Sequence, residues 1–268
     1  MREDMINIRR FYRFLGFLSA WLVFGSPLVW AQISVNDAIL HIKAGKRPIT
    51  NVVVHNNSDA VVYVVSQAQI VLNPGAEGEE QREMADNLLL SPKKFSLGPQ
   101  GERTVRILLK KMPIEREEVY RVAFVPQDRR FDKEAEDTQG SYVGSAAQLR
   151  IMTGMGVLLF VDPLKPKVDV SWRREGKEVI FKNDGNMHAS LITPAACVKG
   201  EGAREETCTS LRGGRLYSGR EIRLEVPENA VLKLGIRNGS TEEIRSLTVP
   251  IGNGQAKVFE EWAREGKE

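Results

Sequence analysis

From residue 33 onward the chain is written in short runs of Val, Ile and Leu separated by turn residues, with almost no helical period. Such runs bounded by Gly, Pro, Asn and Asp clusters are strand signals. They predict strands over residues 34–42, 49–55, 60–72, 88–97, 102–109 and 118–125. Pro92, inside the fourth run, belongs on an edge or at a crossing between sheets because it cannot donate to a ladder. Residues 76–86 are acidic and read as an exposed loop, and 127–145 as a polar, mobile connection. The next stretch, AAQLRIMTGMGVLLFVDP at 146–163, stands out. Leu149, Ile151, Met155, Val157, Leu159 and Val161 fall on one strand face, interrupted only by Thr153. Read as one strand from Leu149 to Pro163 it would span roughly 50 Å at about 3.3 Å per residue. That exceeds the usual five or six residues, so part of it is expected to serve something besides its own domain.

Seven strands at this spacing predict an immunoglobulin-type β-sandwich, with an up-and-down barrel as the other solution. Asp162-Pro163-Leu164-Lys165-Pro166 is a proline-punctuated linker and the expected domain boundary. Beyond it, shorter runs at 168–173, 178–182, 188–193, 221–226, 231–237 and 243–250 predict a second, smaller sandwich. Arg174-Glu175-Gly176-Lys177 reads as a hairpin turn. The expected organisation is an N-terminal segment 1–31, a first domain 32–162, a second domain 163–251 and a charged tail 252–268. In the tail, Val258, Phe259 and Trp262 sit at helical spacing, which leaves open a short docked helix or a frayed end.

The first 31 residues change the picture. Arg2, Arg9, Arg10 and Arg13 precede the apolar run 14–30, and Val29-Trp30-Ala31 closes it. This reads as a secretory signal peptide cleaved near Ala31; a retained membrane anchor is the alternative. The whole chain carries 38 basic and 35 acidic residues. Without the segment, which holds four of the basic and two of the acidic ones, the net charge falls to roughly +1. That balance offers no electrostatic footprint for nucleic acid. No other apolar run approaches the ~20 residues of a membrane span. In an exported chain the two cysteines, Cys197 and Cys208, read as a structural disulfide.

Reaction chemistry is not signalled. His41, His55 and His188 fall on different candidate strands and share no spacing with each other or with the cysteines, so no metal site is expected. No nucleophile elbow is present. Gly154 and Gly156 precede no helix, which makes them a close backbone approach or a bend rather than a phosphate loop. The acidic clusters at Glu115, Glu117, Glu118 and at Asp132, Glu134, Glu136, Asp137 read as solvated charge. No enzyme activity and no cofactor are expected.

Several stretches together resemble one family. NPG at 73–75, LLLSPKKFSLGPQGERTVRILL at 88–109, EREEVYRVAFVP at 115–126, the long strand ending in Asp162-Pro163, NDGN at 183–186 and the paired cysteines occur in an order similar to that of the PapD-like periplasmic pilus-assembly chaperones. Within that family the LNPG turn, EEVYRV and the cysteine loop look most like the alternate chaperones of colonisation-factor fimbriae. The resemblance implies an all-β chain of two immunoglobulin-like sandwiches in a boomerang arrangement. It implies a periplasmic location, fimbrial subunits and an outer-membrane usher as partners, and donor-strand complementation as the mechanism. Subunits of this kind lack their last strand, and the chaperone lays its own into the gap. Leu149, Ile151 and Thr153 match the donor positions, and Met155 extends the row. The basic pair that holds a subunit's C-terminal carboxylate in better-known members aligns near Leu40 and at Leu158, so the carboxylate anchor stays unassigned. Arg121 and Lys43 are the substitutes the sequence offers. Asp162 stands where those members carry an interdomain Arg, so no such ion pair is carried over. An exported Ig-like structural or adhesin module is the alternative reading.

Overall fold

The computed structural model describes residues 32–76, 80–113, 115–127, 153–200, 205–239 and 241–258. Their regular structure is β. In the N-terminal half the strands are β1 (Ile33–Val35), β2 (Ile39–Ile42), β3 (Ile49–Asn56), β4 (Val62–Val71), β5 (Arg82–Met84), β6 (Leu88–Ser91), β7 (Lys94–Leu97), β8 (Glu102–Leu109), β9 (Glu118–Gln127) and β10 (Met155–Val161). One sheet runs β1-β3-β8-β6, and the facing one β2-β10-β9-β4-β5 with β7 also on β4. Alternation explains the layering: Val52 and Val54 of β3, Val105 and Ile107 of β8, and Tyr120, Val122 and Phe124 of β9 all point into one core. Burying each such side chain contributes about 1.5–3 kcal/mol relative to exposure.

Two places differ from the pattern read along the chain. The expected strand at 34–42 is two strands in different sheets, β1 on β3 and β2 parallel to β10. Asn36 makes the switch, its Oδ1 accepting the Val53 N–H at 2.7 Å while its own N–H donates to the Val53 carbonyl. The expected loop at 76–86 contains β5, paired with Gln69–Val71 of β4. All three β5 residues are exposed, so no apolar alternation marked them. Pro92 sits where the chain crosses between sheets, since β6 pairs with β8 and β7 with β4.

The C-terminal half holds β11 (Val170–Glu175), β12 (Glu178–Asn183), β13 (Ala189–Lys199), β14 (Glu206–Ser210), β15 (Gly214–Leu216), β16 (Glu221–Glu225), β17 (Val231–Asn238), β18 (Ile244–Val249) and β19 (Gly254–Lys257). These form a sheet β16-β12-β11-β19 and a sheet β14-β13-β17-β18 with β15 also on β13. A separate core lies between them, built on Trp172, Phe181, Leu191, Leu232 and Leu247. The fold is therefore two immunoglobulin-like sandwiches in tandem. The cysteine loop is a hairpin here: Cys197 and Cys208 are cross-strand partners on β13 and β14 and form a disulfide. The start of the tail is also ordered, with β19 pairing to β11 and Val258 buried in the core; Phe259 and Trp262 lie outside the described residues. Buried Arg174 ties one end of this sandwich together, its guanidinium donating to the carbonyls of Gly176, Pro227, Ala230 and Pro250.

Candidate functional site

The last strand of the first sandwich has two unlike ends. Along its core face burial fades toward the N-terminal end. Val161, Leu159 and Val157 are fully buried, Met155 is half-buried against the same core, and Thr153 is exposed. Burial along this face thus ends at Met155, where the strand begins. The edge behaves the same way. On one side β9 pairs with all of Met155–Val161, whereas on the other side β2 pairs only with Leu158–Val161. Among the described residues, Met155–Val157 has no strand on that side. An exposed, unpaired edge is a template for another strand.

The described strand is shorter than the fifteen residues read from the pattern. Thr153 and Gly154 precede it without ladder pairing, and it stops before Asp162 and Pro163. A Cβ on Gly154 would lie 3.0 Å from the Phe124 carbonyl oxygen, so this glycine serves a close approach of the chain to β9. Of the four expected donor residues, Thr153 and Met155 fall on this open end. Leu149 and Ile151 lie outside the described residues, as does the connection 128–152.

At the other end, β10 is sealed by the second sandwich. Its outward residues Leu158 and Phe160 pack with Val71, Val119 and Tyr217. Phe160 is tilted against His188 with ring centroids 4.2 Å apart, and His41 stacks on Phe160 at 5.4 Å. The Arg215 guanidinium lies 5.3 Å from the Phe160 ring centroid, a geometry worth about 0.5–2 kcal/mol. The seam is fastened by polar groups. His188 Nδ1 lies 2.7 Å from Glu117 Oε1, and the His188 backbone N–H donates to Glu117 Oε2; both side chains are almost wholly buried. Asn186 donates to the carbonyls of Glu115 and Lys165 and accepts from the Lys167 N–H. The NPG turn belongs to the same seam. Gly75 has φ of 70°, and a Cβ there would lie 2.5 Å from Tyr217 Cδ2.

Glu117, expected to be solvated, is thus a buried fastener, and His41 and His188, unrelated by spacing, have their rings 6.2 Å apart. No sequence signal pointed to the seam, because it depends on a pairing between distant sandwiches. The positions aligned with the missing basic pair are apolar in place as well: Leu40 is buried in the core and Leu158 is half-buried in the seam. Arg121 is committed to an ion pair with Glu80 at 2.6 Å. His41 is held well below its ordinary range, at about 4, by burial and then by the charges of His188, Lys43, Arg237 and Arg215.

The described residues thus form two immunoglobulin-like sandwiches in tandem, the first ending in a strand that is paired on one edge only at its N-terminal end. The family description "Pili and flagellar-assembly chaperone, PapD N-terminal domain" matches residues 32–166, half of the chain. The chain belongs to that family. Solved structures agree in fold. The class 5 fimbriae chaperone CfaA superposes with a TM-score of 0.57 at 20% identity, covering 82% of this chain and 100% of that one. A chaperone–tip adhesin complex of CFA/I fimbriae biogenesis gives 0.57 at 18% identity, with 84% and 100% covered. The Salmonella enterica SafA pilin–SafB chaperone complex gives 0.53 at 15% identity, with 83% and 98% covered. No curated protein sequence matches the chain.

Proposed function

We propose that this chain is a periplasmic chaperone that binds fimbrial subunits by donor-strand complementation and delivers them to an outer-membrane usher. The observation that carries the reading is the open end of β10, where Met155 is only half-buried against the core and the edge at Met155–Val157 is free of β2. Laid beside an incomplete sandwich, such an edge supplies main-chain hydrogen bonds, while alternate side chains enter the vacant groove. Leu149, Ile151 and Thr153 are the donor side chains, and Met155 joins the row where it meets the chaperone's own core. Thr153 offers a small, polar side chain to its pocket, so Leu149 and Ile151 supply most of the apolar contact. The family membership and the subunit complexes named among the similar structures support this reading. Residues 1–31 would direct export. No helix among the described residues is long and apolar enough to cross a membrane.

The test is Ile151→Asp. A carboxylate placed in an apolar groove loses the burial of the isoleucine and adds a desolvation cost of several kcal/mol. Co-purification with the subunit should fall by at least about 100-fold, while the melting transition of the free chain stays unchanged. Undiminished subunit recovery would remove the donor role.

A further inference from the structure

The outer surface of the β1-β3-β8-β6 sheet carries apolar side chains that the core does not use. Ile49 on β3 and Leu89 on β6 are both cross-strand partners of Leu108 on β8. Cross-strand partners share a face of the sheet, so the three form a row, Ile49–Leu108–Leu89. Their chain neighbours Ile107, Leu109, Leu88 and Leu90 point the other way, into the first core. The row therefore faces outward. Ile49 is 42% exposed and Leu89 48%, with Leu108 half-buried between them. Among the described residues none of the three belongs to a core cluster. A single exposed aliphatic needs no explanation, whereas a contiguous group marks a contact surface.

The charges beside this row are one-sided. In the next row Arg106 stands between Asn51 and Ser91. On the other side Arg47 and Lys110 lie two residues beyond Ile49 and Leu108, which alternation puts on the same face. All three cations are exposed, and among the described residues none is in an ion pair; Lys110 Nζ donates to the Asp86 backbone carbonyl. The acid of this face, Glu102, stands two rows beyond Arg106 and 3.3 Å from His55 Nδ1. An aliphatic row between unpaired cations has the make-up of a surface that meets anionic headgroups. The apolar side chains enter the boundary between headgroups and acyl chains, and the cations stay among the phosphates. A bilayer asks for no complementary shape. A protein partner needs about 800 Å² of matched surface, far more than three partly exposed aliphatic side chains supply.

We propose that the face Ile49–Leu108–Leu89, belted by Arg47, Arg106 and Lys110, docks the chain on the surface of an anionic phospholipid bilayer. The contact is peripheral and reversible, and it needs both of its parts. Each Lys or Arg held near an anionic surface strengthens binding by about fivefold, and the effect is screened by salt. The aliphatic row adds the apolar area that it removes from water. The proposal stands apart from the donor-strand reading. β10 belongs to the facing sheet, so a chain docked through Ile49, Leu108 and Leu89 leaves the open edge at Met155–Val157 uncovered by lipid.

The probes are vesicles of phosphatidylglycerol and phosphatidylcholine in equal parts, and vesicles of phosphatidylcholine alone. The chain is taken from residue 32 onward, which keeps every described strand and removes the apolar run 14–30, since that run would bind lipid by itself. It should co-sediment with the anionic vesicles at low ionic strength and bind the neutral ones at least about 10-fold more weakly. At about 1 M salt, where charges are screened within about 3 Å, most of it should be released. The Arg47→Gln, Arg106→Gln, Lys110→Gln triple variant should lose about 100-fold in binding. The Ile49→Ser, Leu89→Ser double variant should lose at least about 10-fold with its thermal midpoint nearly unmoved, because neither side chain is in the core. A polarity-sensitive dye on Leu89→Cys should shift to the blue on anionic vesicles. The same dye on Arg223→Cys, on the outer face of the second sandwich, should not; Cys197 and Cys208 are already joined, so the added thiol is the one labelled. Equal binding to neutral vesicles, undiminished binding in either variant, or a blue shift at position 223 in place of 89 would each overturn the proposal. Failure to bind anionic vesicles at all would also overturn it and give the face to a protein partner. These measurements need no subunit, so their failure leaves the donor strand standing, just as failure of the Ile151→Asp test leaves the docking face standing.

Discussion

The two ends of β10 share a strand, an alternation and a neighbour, yet their surroundings are opposite. At Leu158–Val161 the edge is closed by β2, the inner face is core and the outer face is covered by His188 and Tyr217 of the second sandwich. At Met155–Val157 only β9 is in place, and burial dwindles toward Thr153. A strand held rigidly at one end can present its other end at a fixed register. The sealed half supplies stability; the open half supplies an unsatisfied edge. Substitutions at the two ends should therefore separate binding from folding.

The largest expected effect is on binding alone, the loss of subunit recovery in Ile151→Asp, at a residue outside the described strand. Next is His188→Ala at the sealed end. It strips the partner from the almost wholly buried Glu117 carboxylate, and breaking a buried pair in this way costs about 3–5 kcal/mol. Chemical denaturation should show the first sandwich retaining its near-native spectrum while the seam-dependent transition moves down by that amount. Subunit affinity, measured where the variant is still folded, should change far less than for Ile151→Asp. If His188→Ala instead left stability intact and removed binding, the division between the two ends would be wrong.

The pH response sharpens the same contrast. His41 titrates at about 4 in the folded chain against an ordinary value of 6.5. Between those values the unfolded chain binds more protons, so the contribution of this group to stability is present above pH 6.5 and is lost as pH falls toward 4. Thermal unfolding followed from pH 7 to pH 4 should show a decline that His41→Asn flattens, while no donor-strand substitution does. Smaller again is Gly75→Ala. The positive φ and the 2.5 Å approach to Tyr217 Cδ2 predict a loss of about 1–2 kcal/mol, read as a lowered midpoint in urea.

Much of this division was visible in the chain. The apolar alternation at 155–161 announced a core strand, while 149–152 lie outside the described residues, and alternation set the two cores, because a period-2 pattern decides which side chains face inward. Pro92 was legible as a crossing because its missing N–H excludes a central ladder. The seam was not legible. Glu117 looked like one acid in the solvated run EREEV, and His41 and His188 had no common spacing, since their meeting depends on how two separately folded sandwiches abut. Ile49, Leu108 and Leu89 stand in line only because β3, β8 and β6 are hydrogen-bonded in register, a fact about pairing that no single stretch of sequence contains. β5 escaped notice for a simpler reason, having no buried residue to mark it.

The claim that the open edge of β10 receives a subunit strand is tested most directly at the Gly156 amide. Leu158 N–H donates to the Ala38 carbonyl on the β2 side, and strand groups two residues apart point the same way. The Gly156 N–H therefore points along that same edge, beyond the last paired residue of β2. Hydrogen exchange of the free chain and of the subunit complex should show this amide slowed by at least about 100-fold on binding, as for an edge group taken into a ladder, with the neighbouring Val157 amide nearly unchanged. A complex that forms with the exchange of Gly156 unaltered would mean that the subunit is held elsewhere.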